Sequence, residues 1–229
     1  MLDVRHVSKS FAGHTALEDV SFHAGRGEIV GLVGRNGAGK STLMRLLAGT
    51  LLADSGAIGF AGNPRIGFLP EGAPVYGDLS PRDALVFVLG IYGFDAKVRR
   101  QRTAALLTAL DLDTVAGRVV ETLSKGFQRR TALAMALAAE PDVLILDEPF
   151  DGFDPIQKRS ATAYLKVLAP QTLILFSTHV LDDALRLCSR LIILENGAIR
   201  ADAAPRDLLN QKHAATLEDA FCAILDSAS

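Results

Sequence analysis

Apolar residues follow two rhythms along this chain. The first third carries short runs punctuated by glycine. LDVRHVS alternates, SFHA follows it, and EIVGLVG is an unbroken apolar run of the kind carried by a strand buried on both faces. A helical period begins at Lys40 in KSTLMRLLAG and stops at Gly49, a residue suited to the turn that ends a helix. AIGF and RIGFLP return to strand character. Near Asp78 the rhythm changes again. Ser80-Pro81-Arg82-Asp83 sets a capping serine before a proline at the first helical position, with an acid at the third. Helical spacing then runs through LVFVLGIYG, AKVRRQRTAALLTALDL and the stretch from Ser124 to Glu140. After Pro141 the strand-like runs VLILD, TLILFST and RLIILE return, separated by the helical QKRSATAYLKVLA and LDDALRLC. Glu195-Asn196-Gly197 is a tight-turn signal, so IILENGAIR is expected to close a hairpin.

These patterns predict an α/β fold in a single domain over residues 1–229. Its core spans 1–77 and 131–229, and a helical insertion occupies 78–130. No repeat, low-complexity tract or linker divides the chain.

Composition narrows the function without changing the fold. The 229 residues can bury a sizeable core, and 49% hydrophobic with 22% charged residues is an ordinary globular balance. A net charge of −2 gives no reason to expect nucleic acid as a partner. Cys188 and Cys222 are too few for a disulfide framework or a zinc site and fit a reducing cytoplasm. The start, MLDVRHVSKSF, has no apolar run after its charges and does not read as a secretory signal. No stretch approaches the roughly 18 to 20 apolar residues of a spanning helix. If the protein works at a membrane, another chain must supply the spans.

The chemistry begins at GRNGAGKS, Gly34 to Ser41, which satisfies G-x-x-x-x-G-K-[ST] between a buried strand and a helix. Gly34, Gly37 and Gly39 let backbone N–H groups turn toward a phosphate with no Cβ in the way. Lys40 places a point charge at the β and γ oxygens, and Ser41 offers a hydroxyl to Mg²⁺. Arg35, Asn36 and Ala38 within the loop, and Thr42 after it, complete the set expected to bind a nucleoside triphosphate. In VLILDEP, Asp147 ends an apolar strand, where an open α/β sheet presents ligand groups, and is the expected metal-side acid. Its neighbour Glu148 suits a general base acting on water. LSKGFQRR, Leu123 to Arg130, puts Ser124 at an N-cap before a basic first turn. A helix start of that kind suits an anion, although an ordinary capped helix with a solvated basic turn reads the same.

Taken in order, these motifs resemble the nucleotide-binding subunits of ATP-binding cassette (ABC) transporters over nearly the whole chain. The resemblance implies a RecA-like P-loop NTPase core with a mixed, largely parallel sheet, N-terminal antiparallel strands and an inserted α-helical subdomain. The family's LSGGQ signature corresponds to LSKGF, its D-loop to DGFDP with Asp154, and its switch histidine to His179 in STH. Phe11 stands where the adenine-stacking aromatic would be. The resemblance further implies that two subunits pair head to tail, as a homodimer or a heterodimer. Ser124, Lys125 and Gly126 of each would then face the ATP held by Lys40 of the other.

Two departures stand out. Glu71, in FLPEGAPVYGDLS, occupies the coupling-loop position where the family usually carries glutamine, and the signature has Lys125 and Phe127 in place of a glycine and a glutamine. Such PE and SKG variants resemble bacterial ABC-2-type exporters. TLEDAFCAIL resembles the tail of those exporters and equally reads as a closing amphipathic helix. The resemblance therefore implies an Mg²⁺-dependent ATPase powering export through a separate transmembrane subunit, from the cytoplasmic face of the inner membrane. A soluble assembly ATPase, for instance of the iron–sulfur type, is the alternative. A non-hydrolysing regulatory module fits less well, because Lys40, Ser41, Asp147, Glu148 and His179 are all present.

Overall fold

A computed structural model describes residues 1–211 and 214–226. Two sheets make up its core. Strands β1 (Leu2–Phe11), β2 (His14–Ala24) and β4 (Ser55–Phe60) form an antiparallel sheet in the order β2-β1-β4. Strand β3 (Ile29–Val33) belongs to a second sheet with β5 (Ile66–Leu69), β6 (Val143–Asp147), β7 (Leu173–Thr178), β8 (Arg190–Glu195) and β9 (Ala198–Ala203). Its order is β5-β6-β7-β3-β8-β9, with every pair parallel except the β8–β9 hairpin. That hairpin turns on Asn196 at φ 49° and Gly197 at φ 79°, the two positive angles that such a turn demands.

The unbroken apolar runs have a direct cause. Val30 and Leu32 of β3 join one hydrophobic cluster, with the antiparallel sheet and helix α1 (Lys40–Leu47), whereas Ile29 and Val33 join the other. β6 divides in the same way, Val143 and Ile145 against Leu144 and Leu146. Side chains alternate across a strand, so a strand covered on both faces must be apolar at every position. Each such side chain stabilises the fold by about 1.5–3 kcal/mol relative to exposure. The central strands are thereby held rigid up to the ends that carry the polar loops.

The second cluster continues into the helical insertion. Helix α2 (Pro81–Ile91) starts as its sequence predicts, with the Ser80 hydroxyl accepting from the Asp83 N–H at 3.1 Å. Asp95 caps helix α3 (Ala96–Ala109) through the N–H groups of Lys97 and Val98, both at 2.9 Å. Leu85, Leu89, Leu106 and Leu107 bury the facing sides of these helices against Leu133 of helix α4 (Lys125–Leu137). Position 130, the expected edge of the insertion, lies within α4, which runs on unbroken to lie against β5. A Cβ on Gly67 would stand 2.2 Å from the Ala136 carbonyl oxygen, so glycine permits that approach. One helix thus belongs to both the insertion and the core.

After β6 the chain forms helix α5 (Pro155–Leu168), returns through β7 and helix α6 (Leu181–Leu187), and closes with helices α7 (Pro205–Gln211) and α8 (Leu217–Asp226). The pattern along the sequence leaves α7 unpredicted and starts β2 too late, at SFHA. α8 is the closing amphipathic helix, burying Leu217, Ala220, Ile224 and Leu225. Among the described residues, no helix is long and apolar enough to cross a membrane.

Candidate active site

The carboxyl ends of β3, β6 and β7 meet along one edge of the sheet, as an open α/β sheet requires of a ligand site. The loop leaving β3 wraps Lys40, whose Nζ donates to the carbonyls of Gly34 at 2.8 Å and Arg35 at 3.1 Å. Gly37 and Gly39 hold φ of 82° and 104°. A Cβ at Gly39 would stand 2.4 Å from the Ala16 carbonyl oxygen, and one at Gly34 would stand 2.3 Å from that of Leu194. Lys40 is only 6% exposed; burial pulls its pKa below the usual lysine value, opposed by the carboxylates of Glu148, Asp147 and Glu71. A cavity of about 490 Å³ is lined by Lys40 together with Phe11, Asn36, Ser41, Thr42, Glu71 and Glu148. That lining combines an aromatic ring, a cation and the glycine-rich loop, the chemistry a nucleotide's base and phosphates call for.

The acids are held by different means. Asp147 is 1% exposed, and its Oδ1 accepts from the Ser177 hydroxyl of β7 in a very close contact. Glu148 sits at φ 49°, a left-handed conformation unusual outside glycine. Its N–H donates to the Ser177 Oγ at 3.0 Å, and its Oε1 lies 3.0 Å from Nδ1 of His179. The Ser41 hydroxyl donates to Glu71 Oε2 at 3.2 Å, so the coupling-loop residue reaches the phosphate loop. Ser41, Glu71 and Asp147 each carry hard oxygen donors of the kind Mg²⁺ takes, and the structure pairs the first two directly. Among the described residues no three His, Cys, Asp or Glu side chains cluster into a metal cage. Mg²⁺ does not need one, since it keeps waters and takes substrate phosphates as ligands.

The structure does not bring the signature residues to this cavity. Ser124 occupies the N-cap of α4 with extended φ and ψ, but its hydroxyl accepts no helix N–H; its side chain stays exposed, as does that of Lys125. Gly126 lies against the D-loop, where a Cβ would be 3.0 Å from the Gly152 carbonyl oxygen. Asp154 caps α5, accepting from Ile156 at 2.8 Å and Gln157 at 2.9 Å, with Gln157 reaching back in a capping box. Signature and D-loop thus form one surface, separate from the cavity within a single chain.

Three supports escape the motif reading. Ser177 holds both acids, and its place two residues before His179 is the only trace in sequence. Arg129 donates to the carbonyls of Asp147, at 3.0 Å, and Glu148, and is signalled only by the paired arginines after the signature. The hairpin turn braces the phosphate loop: Gly197 N–H donates to the Ala38 carbonyl at 3.1 Å, while its own carbonyl accepts from Glu18 at 2.9 Å.

Comparison with known proteins decides the family. The family described as ABC transporter matches residues 17–151, a span that holds the phosphate loop and both acids. The chain belongs to the ABC transporter family. Nod factor export ATP-binding protein I of Burkholderia pseudomallei (strain 1710b) is 36% identical over 219 residues, covering 91% of this chain and 72% of that protein. The ABC transporter ATP-binding protein YxlF of Bacillus subtilis (strain 168) is 33% identical over 217 residues, covering 93% and 74%. A solved ATP-binding subunit of an ABC transporter superposes with a TM-score of 0.90 at 29% identity, over 98% of this chain and 99% of that one. As a member of this family the chain is an ATP-binding subunit that hydrolyses ATP, and its architecture is that of an ABC cassette.

Placing a side chain at Gly39, where a close approach and a left-handed φ coincide, tests the cavity. Gly39→Val combines a left-handed φ with a backbone clash, a strain of about 1–3 kcal/mol or more. ATP affinity, read by titration with a fluorescent analogue, is expected to fall by roughly 10- to 100-fold. Unchanged affinity would place the nucleotide elsewhere.

Proposed function

We propose that this chain is the nucleotide-binding subunit of an exporter, hydrolysing MgATP in sites shared between two copies and passing the motion to a separate membrane subunit. One observation carries the reading. Lys40, Ser41, Glu71, Glu148 and His179 converge within one chain, while Ser124 to Gly126 present polar groups on a different surface. In this reading that second surface is the other half of a phosphate cage, presented to another copy.

In this reading Phe11 stacks on adenine, and the loop from Gly34 to Thr42 cradles the phosphates with its N–H groups and Lys40. Ser41, Asp147 and Glu71 would hold Mg²⁺, which supplies positive charge at the β and γ oxygens when bound with its nucleotide. Glu148 orients the attacking water in line with the γ-phosphate and takes its proton, while His179 fixes the Glu148 carboxylate and contacts the γ-phosphate. The partner copy contributes Ser124, Lys125 and Gly126 to the developing charge, and Asp154 lies at the dimer contact. Closure follows binding, and hydrolysis reopens the pair.

Docking on a membrane subunit is supported by an apolar patch beside the Glu71 loop. Tyr76 packs edge-on against Phe87 at 5.1 Å, and Tyr92 and Ile91, the latter 65% exposed, continue the patch along α2. A groove between this helix and α4, lined by Pro70, Pro74 and Tyr92, lies next to it. Ile91→Asp is expected to release the protein from the membrane fraction while leaving ATP affinity unchanged; full retention would remove this patch from the interface. Export is supported by the relative named for Nod factor export and by the PE and SKG variants. The site of action is then the cytoplasmic face of the inner membrane.

Purification of the tagged chain from a mild detergent extract tests the transport reading. A stoichiometric partner with several spanning helices is expected. Recovery with a soluble scaffold alone would favour the assembly-ATPase alternative and overturn export.

A further inference from the structure

We propose that Arg129 is a positioning residue for Glu148, holding the general base in its reactive orientation from the signature helix. The inference rests on the reading of Glu148 as that base. Arg129 stands one turn into α4 and is 6% exposed. Its Nη2 donates to the carbonyl oxygen of Asp147 at 3.0 Å and, in a closer contact, to that of Glu148. These two carbonyls belong to the peptide units on either side of the Glu148 Cα. The first unit is also held at its other end, where the Glu148 N–H donates to Ser177 Oγ at 3.0 Å. Both torsions that aim the Glu148 side chain are therefore fixed from outside the strand.

The need for such a clamp follows from the sheet. β5 pairs with β6 only as far as Leu69 opposite Leu146, whereas β7 continues to Ser177 opposite Asp147. Past Leu146 the β5 side offers β6 no neighbouring strand, and the guanidinium supplies the missing donor. Just beyond, Glu148 takes φ 49°, a conformation that a non-glycine residue holds only when its surroundings determine it. One nitrogen of a buried, permanently charged guanidinium, Nη2, serves both carbonyls, so a single group ties the two peptide units together. The same helix begins with Ser124, Lys125 and Gly126. A shift of α4 when those residues meet the partner's nucleotide is thus passed to the backbone of this chain's own base, five residues from signature serine to clamp.

The test is a double-mutant cycle in the full-length protein with its membrane partner. Arg129→Met fills the space without donors, and Arg129→Lys keeps the charge and can reach one carbonyl. Arg129→Met is expected to lower kcat on the order of 10- to 100-fold, the usual consequence of displacing a reacting group by about 1 Å. Its KM for ATP should stay within about twofold, because the nucleotide contacts lie elsewhere. Arg129→Lys should recover part of kcat. Added to Glu148→Gln, either substitution should lower turnover no further, since Arg129 acts through that carboxylate. A kcat equal to the unsubstituted protein's, or the same fractional loss with and without Glu148→Gln, overturns the proposal. If Arg129→Met does not fold, the cycle with Arg129→Lys separates the same two outcomes. Full turnover by Glu148→Gln alone would remove the premise and the proposal together, whereas inactivity of Glu148→Gln with multiplicative losses overturns the proposal alone.

Discussion

Glu148→Gln is expected to keep ATP binding and lose on the order of 10² to 10⁴ in turnover, the share of a positioned general base. The substitution preserves shape and leaves the backbone contacts to Ser177 and Arg129 intact, so the cavity and the left-handed turn should persist. What it removes is the proton acceptor and the negative charge 3.0 Å from His179. Loop residues that bind the triphosphate are untouched, and the closed, ATP-filled pair should accumulate because reopening waits on hydrolysis. Phosphate release and size-exclusion chromatography with ATP measure the two effects. Turnover equal to that of the unsubstituted protein would remove Glu148 from its role. Loss of ATP binding would instead mean that the carboxylate shapes the cavity.

Ser124→Arg is expected to abolish hydrolysis, by at least about 10²-fold, the scale seen when one donor to a transition-state oxyanion is lost. The position of Ser124 is the reason. It caps no helix N–H in this chain and stays exposed, so its replacement by a bulky side chain should leave the fold and the melting temperature nearly unchanged. It lines no part of the cavity around Lys40, so ATP affinity of the isolated subunit should also hold. The loss appears only where the helix start of one copy meets the phosphate of the other. A reduced affinity in the isolated subunit would show that Ser124 serves its own site.

Much of the fold is legible in the sequence because its signals are local. A strand covered on both faces must be continuously apolar, and EIVGLVG, VLILD and TLILFST say so directly. Gly34, Gly37 and Gly39 announce a backbone that approaches something closely, and Asn196-Gly197 announces its turn. The supporting roles of Arg129, Ser177 and Gly197 are illegible for the opposite reason. Each matters through a backbone group remote in sequence, such as the 147 and 148 carbonyls for Arg129 or the Ala38 carbonyl for Gly197. Nothing in residue type or spacing records such a pairing. The role of Ser124 shows a further limit. Its sequence reads as a helix cap, and the cap position is real, but the hydroxyl makes no cap bond and remains available to something outside the chain. Nor does polarity along α4 reveal that one helix runs unbroken through position 130.

The central claim, that each ATP is hydrolysed between two copies, is tested most directly by mixing two inactive variants. Lys40→Ala removes the phosphate ligand, and Ser124→Arg blocks the opposing helix start. A mixed dimer holds one site with both groups intact and one with neither. Random pairing should then restore roughly a quarter of the unsubstituted activity, since half the dimers are mixed and each has one of two sites working. Phosphate release well above that of either variant alone is the expected result. Activity no greater than the variants show separately would contradict the shared site and confine the chemistry to a single chain.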